Sequence, residues 1–311
     1  MGNELSKKYE GSLLGLAIGD ALGVPVEFKT VGSFEPVSDF GDSNRLPAGH
    51  WSDDTAMALC LANSLIEKKS FDPTDQIEKY RKWLESGYCS STGEAIGVGQ
   101  TILRALLTYR PGSDPYVAIS SNYSDGNGSL MRLAPVPLYF RNNPEEAMRN
   151  AALSSKITHG SELCRDACRY YAGLIIGALN GVPKSELLSE LYCPIPNFWK
   201  QNQLTEEIEN IALGSFKQND PPFIQGSGYV VKSMEAALWA FHTSETFEDG
   251  VLKAVNLGDD ADTTGAIYGQ LAGAYYGIDG IPKKWTDRVA KKEEILEVAN
   301  ELLEQANNSP R

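Results

Sequence analysis

Apolar residues recur every three to four positions along nearly the whole chain, the period of helices that bury one side. This pattern predicts helices over residues 9–22, 53–69, 73–86, 94–109, 145–155, 161–180, 203–213, 228–242, 246–257, 264–277 and 284–306. Alternating, strand-like runs are scarce. In the first of these helices Gly11, Gly15, Gly19 and Gly23 fall at spacing four. Such a stripe lets another backbone approach closely, which predicts a tightly packed central helix. Residues 29–50 and 110–135 are the long irregular segments, rich in Gly, Ser, Asn, Asp and Pro. Long loops in a helical protein are commonly functional. No repeat and no low-complexity linker marks a domain boundary, and 311 residues fit either one large domain or two.

Composition narrows the function classes. With 28 Lys+Arg against 41 Asp+Glu the net charge is −13, which argues against a binder of nucleic-acid backbones. A small anionic ligand held by backbone amides or by a metal stays compatible with that charge. The 42% hydrophobic content supplies a core. No stretch of about 20 apolar residues is present to span a membrane, and no signal peptide is visible, so a cytoplasmic location is expected. Gly2 and Ser6 match the short myristoylation pattern M-G-x-x-x-[ST]. The five cysteines contain no C-x-x-C pair, as expected of a reducing compartment. Cys164 and Cys168 lie one helical turn apart and read as small apolar residues on one face rather than as a zinc pair. His50, His159 and His242 are too scattered to complete a zinc site.

The candidate chemistry lies at two helix starts. Trp51-Ser52-Asp53-Asp54-Thr55 precedes one apolar helix, and Gly258-Asp259-Asp260-Ala261-Asp262-Thr263-Thr264 precedes another rich in small residues. Taken singly, each reads as ordinary capping, with acids at the positive end of the helix dipole. Taken together, they are two crowded carboxylate groups with no Lys or Arg nearby in sequence. Such carboxylates repel and take up protons unless a cation joins them. Oxygen ligands without His or Cys select Mg²⁺, Mn²⁺ or Ca²⁺. Asp20 and Glu27, after the glycine stripe, add two more acids, each also readable as a brace or a solvated side chain. Ser124-Asp125-Gly126-Asn127-Gly128-Ser129-Leu130-Met131-Arg132 exposes successive amides, as a diphosphate nest or an ordinary Asn-Gly turn would. It does not follow a strand and is not a dinucleotide fingerprint.

In this order the segments GSLLGLAIGDALGVPVEF, WSDDTAMAL, DGNGSLMRLAPVPL, THG, GYVVKSMEAALWAF and DDADTTGAIYGQLAGAYYG resemble the ADP-ribosylglycohydrolase family. The resemblance implies an all-α fold: a single compact orthogonal multi-helix domain over residues 1–311, with a dinuclear metal centre at helix N-termini. It implies two divalent cations, Mg²⁺ or Mn²⁺, with Ser52, Asp53, Asp54, Asp260, Asp262 and Thr263 as metal-site residues. Glu27 and Asp53 become the candidate general bases. Asn127, Gly128, Ser129, Met131 and His159 fall where the family contacts its ligand. Asp259 departs from the family, whose members often carry Gly there. The implied activity is hydrolysis of the C1″ bond that joins ADP-ribose to a side chain, with N-linked arginine expected. An O-linked serine linkage, another small phosphorylated or ribosylated substrate, and a catalytically silent ADP-ribose binder are the alternatives. The expected partner is an ADP-ribosylated protein or small conjugate, and the expected state is a monomer.

Overall fold

The computed structural model describes residues 2–117 and 125–308. Fifteen α-helices follow in chain order among them. The first seven are α1 (Gly2–Gly23), α2 (Asp53–Lys68), α3 (Pro73–Ser86), α4 (Gln100–Thr108), α5 (Pro135–Tyr139), α6 (Pro144–Lys156) and α7 (Glu162–Leu179). The short α8 (Lys184–Leu187), α9 (Phe198–Gln201) and α10 (Glu206–Ala212) lead to α11 (Val230–His242), α12 (Phe247–Val255) and α13 (Ala261–Tyr276). α14 (Lys283–Thr286) and α15 (Lys292–Asn308) close the chain. No strand occurs among the described residues, only an isolated bridge between Gly126 and Tyr229.

α1 and α13 run antiparallel at the centre and form the most extensive helix pair. The predicted glycine stripe is one half of their seam, and Gly265, Gly269 and Gly273 of α13 are the other half. A Cβ at Gly11, Gly15 or Gly19 would lie within 3.0 Å of the carbonyl oxygen of Gly273, Gly269 or Gly265, and the reverse substitutions would clash in the same way. Gly23 meets the backbone of Ala261 and Asp262. The backbones therefore touch, and Ser12 Oγ donates across the seam to Gln270 O at 2.8 Å. α7, α11 and α12 cover α13, and α15 covers α1 and α2. Tyr171 of α7 donates its buried hydroxyl to Ile267 O at 2.6 Å, which pins α7 to α13.

Most of the predicted helices form within a few residues of their expected ends, and two differences have local causes. The stretch predicted from 94 is irregular up to Gln100, because Gly97 takes φ 98° and Gly99 is the N-cap. The stretch predicted as 284–306 breaks into α14 and α15, with Lys291 in the left-handed region between them. Cys164 and Cys168 are buried on one face of α7, as expected of small apolar residues. None of the five cysteines forms a disulfide.

Gly19→Ala tests the seam. Alanine is the better helix former by about 1 kcal/mol, yet the new methyl meets only backbone atoms that cannot swing aside. A net loss of about 1–3 kcal/mol or more is expected in urea unfolding. An unchanged or raised midpoint would show that the helices separate easily.

Candidate active site

The seam carries the start of α13 to the end of α1, where the start of α2 also arrives. Asp20, in the last turn of α1, is fully buried and accepts hydrogen bonds from four donors at the start of α2. The donors are Ser52 N at 2.9 Å, Ser52 Oγ at 2.9 Å, Thr55 N at 3.1 Å and Thr55 Oγ1 at 2.7 Å. Ser52 occupies the N-cap position of α2 without capping it through its side chain. A carboxylate from another helix does that work, so Asp20 is the brace that joins α1 to α2.

Two carboxylate groups result, and they share one member. Asp20, Asp54 and Asp262 bring ligand oxygens within 4.8 Å of one another, and so do Glu27, Asp260 and Asp262. The two sequence segments, some 200 positions apart, thus meet at Asp262. Asp54 Oδ1 is buried and has no hydrogen-bond partner among the described residues. Asp53 faces a cavity beside Gly97, whose missing side chain leaves the space that Asp53 Oδ1 fills. Burial first, then repulsion from the neighbouring carboxylates, pushes Asp53, Asp54 and Asp262 well above the usual carboxylate range. Burial also raises Asp20 and Asp260, but hydrogen bonds oppose it, from Thr55 and Ser52 on Asp20 and from Asn127 and Thr263 on Asp260. Crowded buried carboxylates, an orphan oxygen and an all-oxygen donor set are what a hard divalent cation fits.

Arg45 is a cation that the sequence did not place here. It comes from the 29–50 loop, pairs with Glu27, and lowers the Asp53 carboxyl slightly against the larger upward effects. Thr263 lines the cavity, and its amide donates to Asp262 Oδ1 at 2.9 Å. Asp259 is exposed at the rim.

The cavity holds about 250 Å³, and its far wall is the 126–131 loop with His159. Ser124 lies outside the described residues. Asn127 ties this loop to the acids through Nδ2, 2.6 Å from Asp260 Oδ2. The amides of Asn127, Leu130 and Met131 donate to backbone carbonyls. Among the described residues of this loop, the amides of Gly126, Gly128 and Ser129 have no backbone acceptor. Gly128 and Met131 line the cavity. The Ser129 hydroxyl instead faces inward, 2.8 Å from Ser155 Oγ and 3.6 Å from Cys168 Sγ, so that side chain anchors the loop.

His159 is held from behind by residues whose role the sequence did not show. Arg132 is fully buried and, among the described residues, has no carboxylate partner. It lies over the Tyr80 ring at 4.5 Å and donates to Thr158 Oγ1 at 2.6 Å. Thr158 Oγ1 is 2.9 Å from His159 Nδ1. Arg132 donates to one lone pair of the Thr158 hydroxyl, which can give its own proton to Nδ1; in that tautomer the imidazole proton sits on Nε2. Nε2 faces the loop glycines, and in that tautomer it offers a donor to the cavity. Burial, aided by the Arg132 charge, lowers the imidazole to about 3, so the ring stays neutral.

An all-α chain with a carboxylate centre where three helix ends converge, walled by a loop of small residues, has the donor set and the adjoining cavity of a metal-dependent site. The family model described as ADP-ribosylglycohydrolase matches residues 1–311, and the chain belongs to that family of glycosidic-bond hydrolases. It is 36% identical over 308 residues to the ADP-ribosylarginine hydrolase Tri1 of Pseudomonas putida, covering 96% of this chain and 78% of that protein. It is 31% identical to the ADP-ribosyl-[dinitrogen reductase] glycohydrolase of Rhodospirillum rubrum, over 91% of this chain and 90% of the other. A solved structure titled ADP-ribosylglycohydrolase-related protein complex superposes with a TM-score of 0.85 at 38% identity, covering 98% of this chain and 99% of its own.

Two measurements check this geometry. Thr158→Val removes the hydroxyl partner of Nδ1, so, on the expectation that His159 contacts the ligand, ADP-ribose affinity should fall by about fivefold to tenfold, roughly 1–1.4 kcal/mol. The ring ¹⁵N shifts should report a mixed tautomer; an unchanged spectrum would place the Nδ1 partner elsewhere. Separately, the raised carboxyls bind protons in the folded state that they release on unfolding above about pH 4. Their contribution to metal-free stability is thus present at low pH and lost as pH rises through the raised values. A divalent cation needs the deprotonated oxygens, so the rise in melting temperature on adding Mg²⁺ should grow from pH 5 to pH 8. A shift independent of pH would mean that the cation binds elsewhere.

Proposed function

We propose that this hydrolase removes ADP-ribose from a modified arginine side chain, with two divalent cations, Mg²⁺ or Mn²⁺, as cofactors. The observation that carries the reading is the sharing of Asp262 by two carboxylate groups beside one cavity. The arginine linkage rests on the relative named an ADP-ribosylarginine hydrolase at 36% identity. Asp54 and Asp262, with Asp20 alongside, would hold one cation, and Glu27, Asp260 and Asp262 the other. Asp53 and Thr263 stand at the cavity edge of these sets, and Ser52 stands behind them, hydrogen-bonded to Asp20. When bound, the cations supply counter-charge and Lewis-acid polarisation for the ribose hydroxyls.

The protein's own groups account for the rest. Hydrolysis breaks the bond from C1″ to the guanidine nitrogen and forms a bond from C1″ to a water oxygen. The water gives one proton to a carboxylate, and the leaving nitrogen takes up a proton. Asp53 is favoured as the base, because it faces the cavity while Glu27 is engaged by Arg45. Positive charge that develops at C1″ is stabilised by the surrounding carboxylates. The neutral His159 donates from Nε2 to a ligand oxygen, and the amides of Gly128 and Ser129 face the diphosphate. The chain acts in this reading as a monomeric single domain over residues 1–311 on an ADP-ribosylated protein or small conjugate.

A panel of ADP-ribosyl-arginine, ADP-ribosyl-serine and free nucleotides tests the linkage. Release of ADP-ribose is expected from the arginine conjugate, abolished by chelation and restored by Mg²⁺ or Mn²⁺ better than by Zn²⁺. Release from serine alone would move the assignment to the O-linked class, and none from any substrate would leave a silent binder. Asp262→Asn is expected to lower turnover at least about a hundredfold, or about 2.7 kcal/mol of barrier. Its metal-free melting temperature should be equal or higher, because one repelling charge is gone. Normal turnover by this variant would withdraw the shared-ligand assignment.

A further inference from the structure

Beside the acid-lined cavity lies a second, larger cleft of about 690 Å³, and Phe28 and Asp259 line both. Its other walls come from the turn that carries Val31, from Leu257 and from the 221–226 loop. Lys29 and Asp259 are its charged lining residues, so the surface is mainly apolar. Phe28, Val31 and Phe223, on these same two segments, are 74%, 62% and 77% exposed. Three of the six exposed large apolar side chains among the described residues therefore sit on the two segments that wall the cleft, and two of them, Phe28 and Val31, line it, the kind of clustering that marks an interaction site.

The wall between the two spaces is held in place. Phe28 N donates to Asp259 O at 2.6 Å, and Asp259 N donates to Lys29 O at 2.8 Å. Both Phe28 (φ 62°) and Asp259 (φ 51°) lie in the left-handed region, which is uncommon for side chains other than glycine and recurs at ligand clamps. At this corner Glu27 already holds a guanidinium, that of Arg45, whose carbon is 6.0 Å from the centre of the Phe28 ring. The corner is thus chemically suited to the group that leaves the reaction. The loop at Gly126–Gly128 and His159 occupy the side assigned to ADP-ribose, so the chain bearing the arginine must emerge by another route.

We propose that the cleft is the docking surface for the polypeptide that carries the modified arginine, an extended segment with apolar side chains flanking it. This rests on the arginine reading proposed above. The arginine passes over Phe28, and its neighbours in the target chain lie against Val31 and the 221–226 loop.

The test compares two substrates, free ADP-ribosyl-arginine and a protein mono-ADP-ribosylated on arginine, for the wild type and for Val31→Ser/Phe223→Ser. Both substituted side chains stand in solvent and neither lines the acid cavity, so the fold and the chemistry should persist. The expected result is a fall of about tenfold in kcat/KM for the protein conjugate, carried by KM, with the free conjugate changed less than about twofold. Equal values for both substrates in variant and wild type would overturn the docking surface alone, as would equal losses on both. A wild type inactive on both conjugates would overturn the arginine reading and this surface with it.

Discussion

Everything at the site depends on how closely two backbones approach. Side chains larger than hydrogen would hold α1 and α13 apart at the 8–10 Å usual for helix pairs. The reciprocal glycines remove that spacer at three successive turns, and each Cβ that is missing from one helix is replaced by a carbonyl of the other. Gly23 extends the contact to the first residues of α13, so Asp262 is delivered to the level of Asp20. The seam thereby sets the spacing of the carboxylates. Its cohesion comes from dense van der Waals contact rather than from any single strong bond.

That contact holds together groups that would otherwise separate. Asp20, Asp53, Asp54 and Asp262 are buried and mutually repelling, and burial is the largest cause of their raised proton affinity. Asp20 is the member best compensated by the protein itself, through hydrogen bonds from four donors at the start of α2. Asp54 keeps one buried oxygen bare, while its other accepts from Ser52 Oγ at 3.2 Å. The rest of the fold tolerates this because the packing around it is rigid and apolar, with α7, α11, α12 and α15 closing over the central pair. A strained and repelling cluster of this kind is characteristic of a site selected for binding or chemistry over stability.

The two walls of the cavity differ in the way they are held. The 126–131 wall is stiffened from the interior by Asn127, Ser129 and the Arg132–Thr158–His159 chain. The opposite wall is a surface turn fastened by two backbone hydrogen bonds and a salt bridge, and it opens on an apolar cleft. One wall thus offers fixed polar donors for a small ligand. The other offers greasy, exposed side chains suited to a larger partner.

Periodicity alone was enough for the helical class and for most helix positions, because amphipathic spacing is a local property of the chain. The motif segments were local too, and both acidic helix starts and the glycine stripe could be read directly. Even the partner of that stripe, Gly265, Gly269 and Gly273, was present in the same spacing. The inward turn of the Ser129 hydroxyl, the bracing by Asp20 and the arrival of Arg45 at Glu27 were not legible. Nor was the role of Arg132, which sits inside a recognised motif and looks like a surface cation. Each of these joins residues from different segments, and a side chain's partner is chosen by packing that no local spacing encodes. The sequence by itself determined which residues carry charge and which stretches coil. Only the tertiary structure decided which carboxylates face one another, because that choice depends on a helix contact between residues some 250 positions apart.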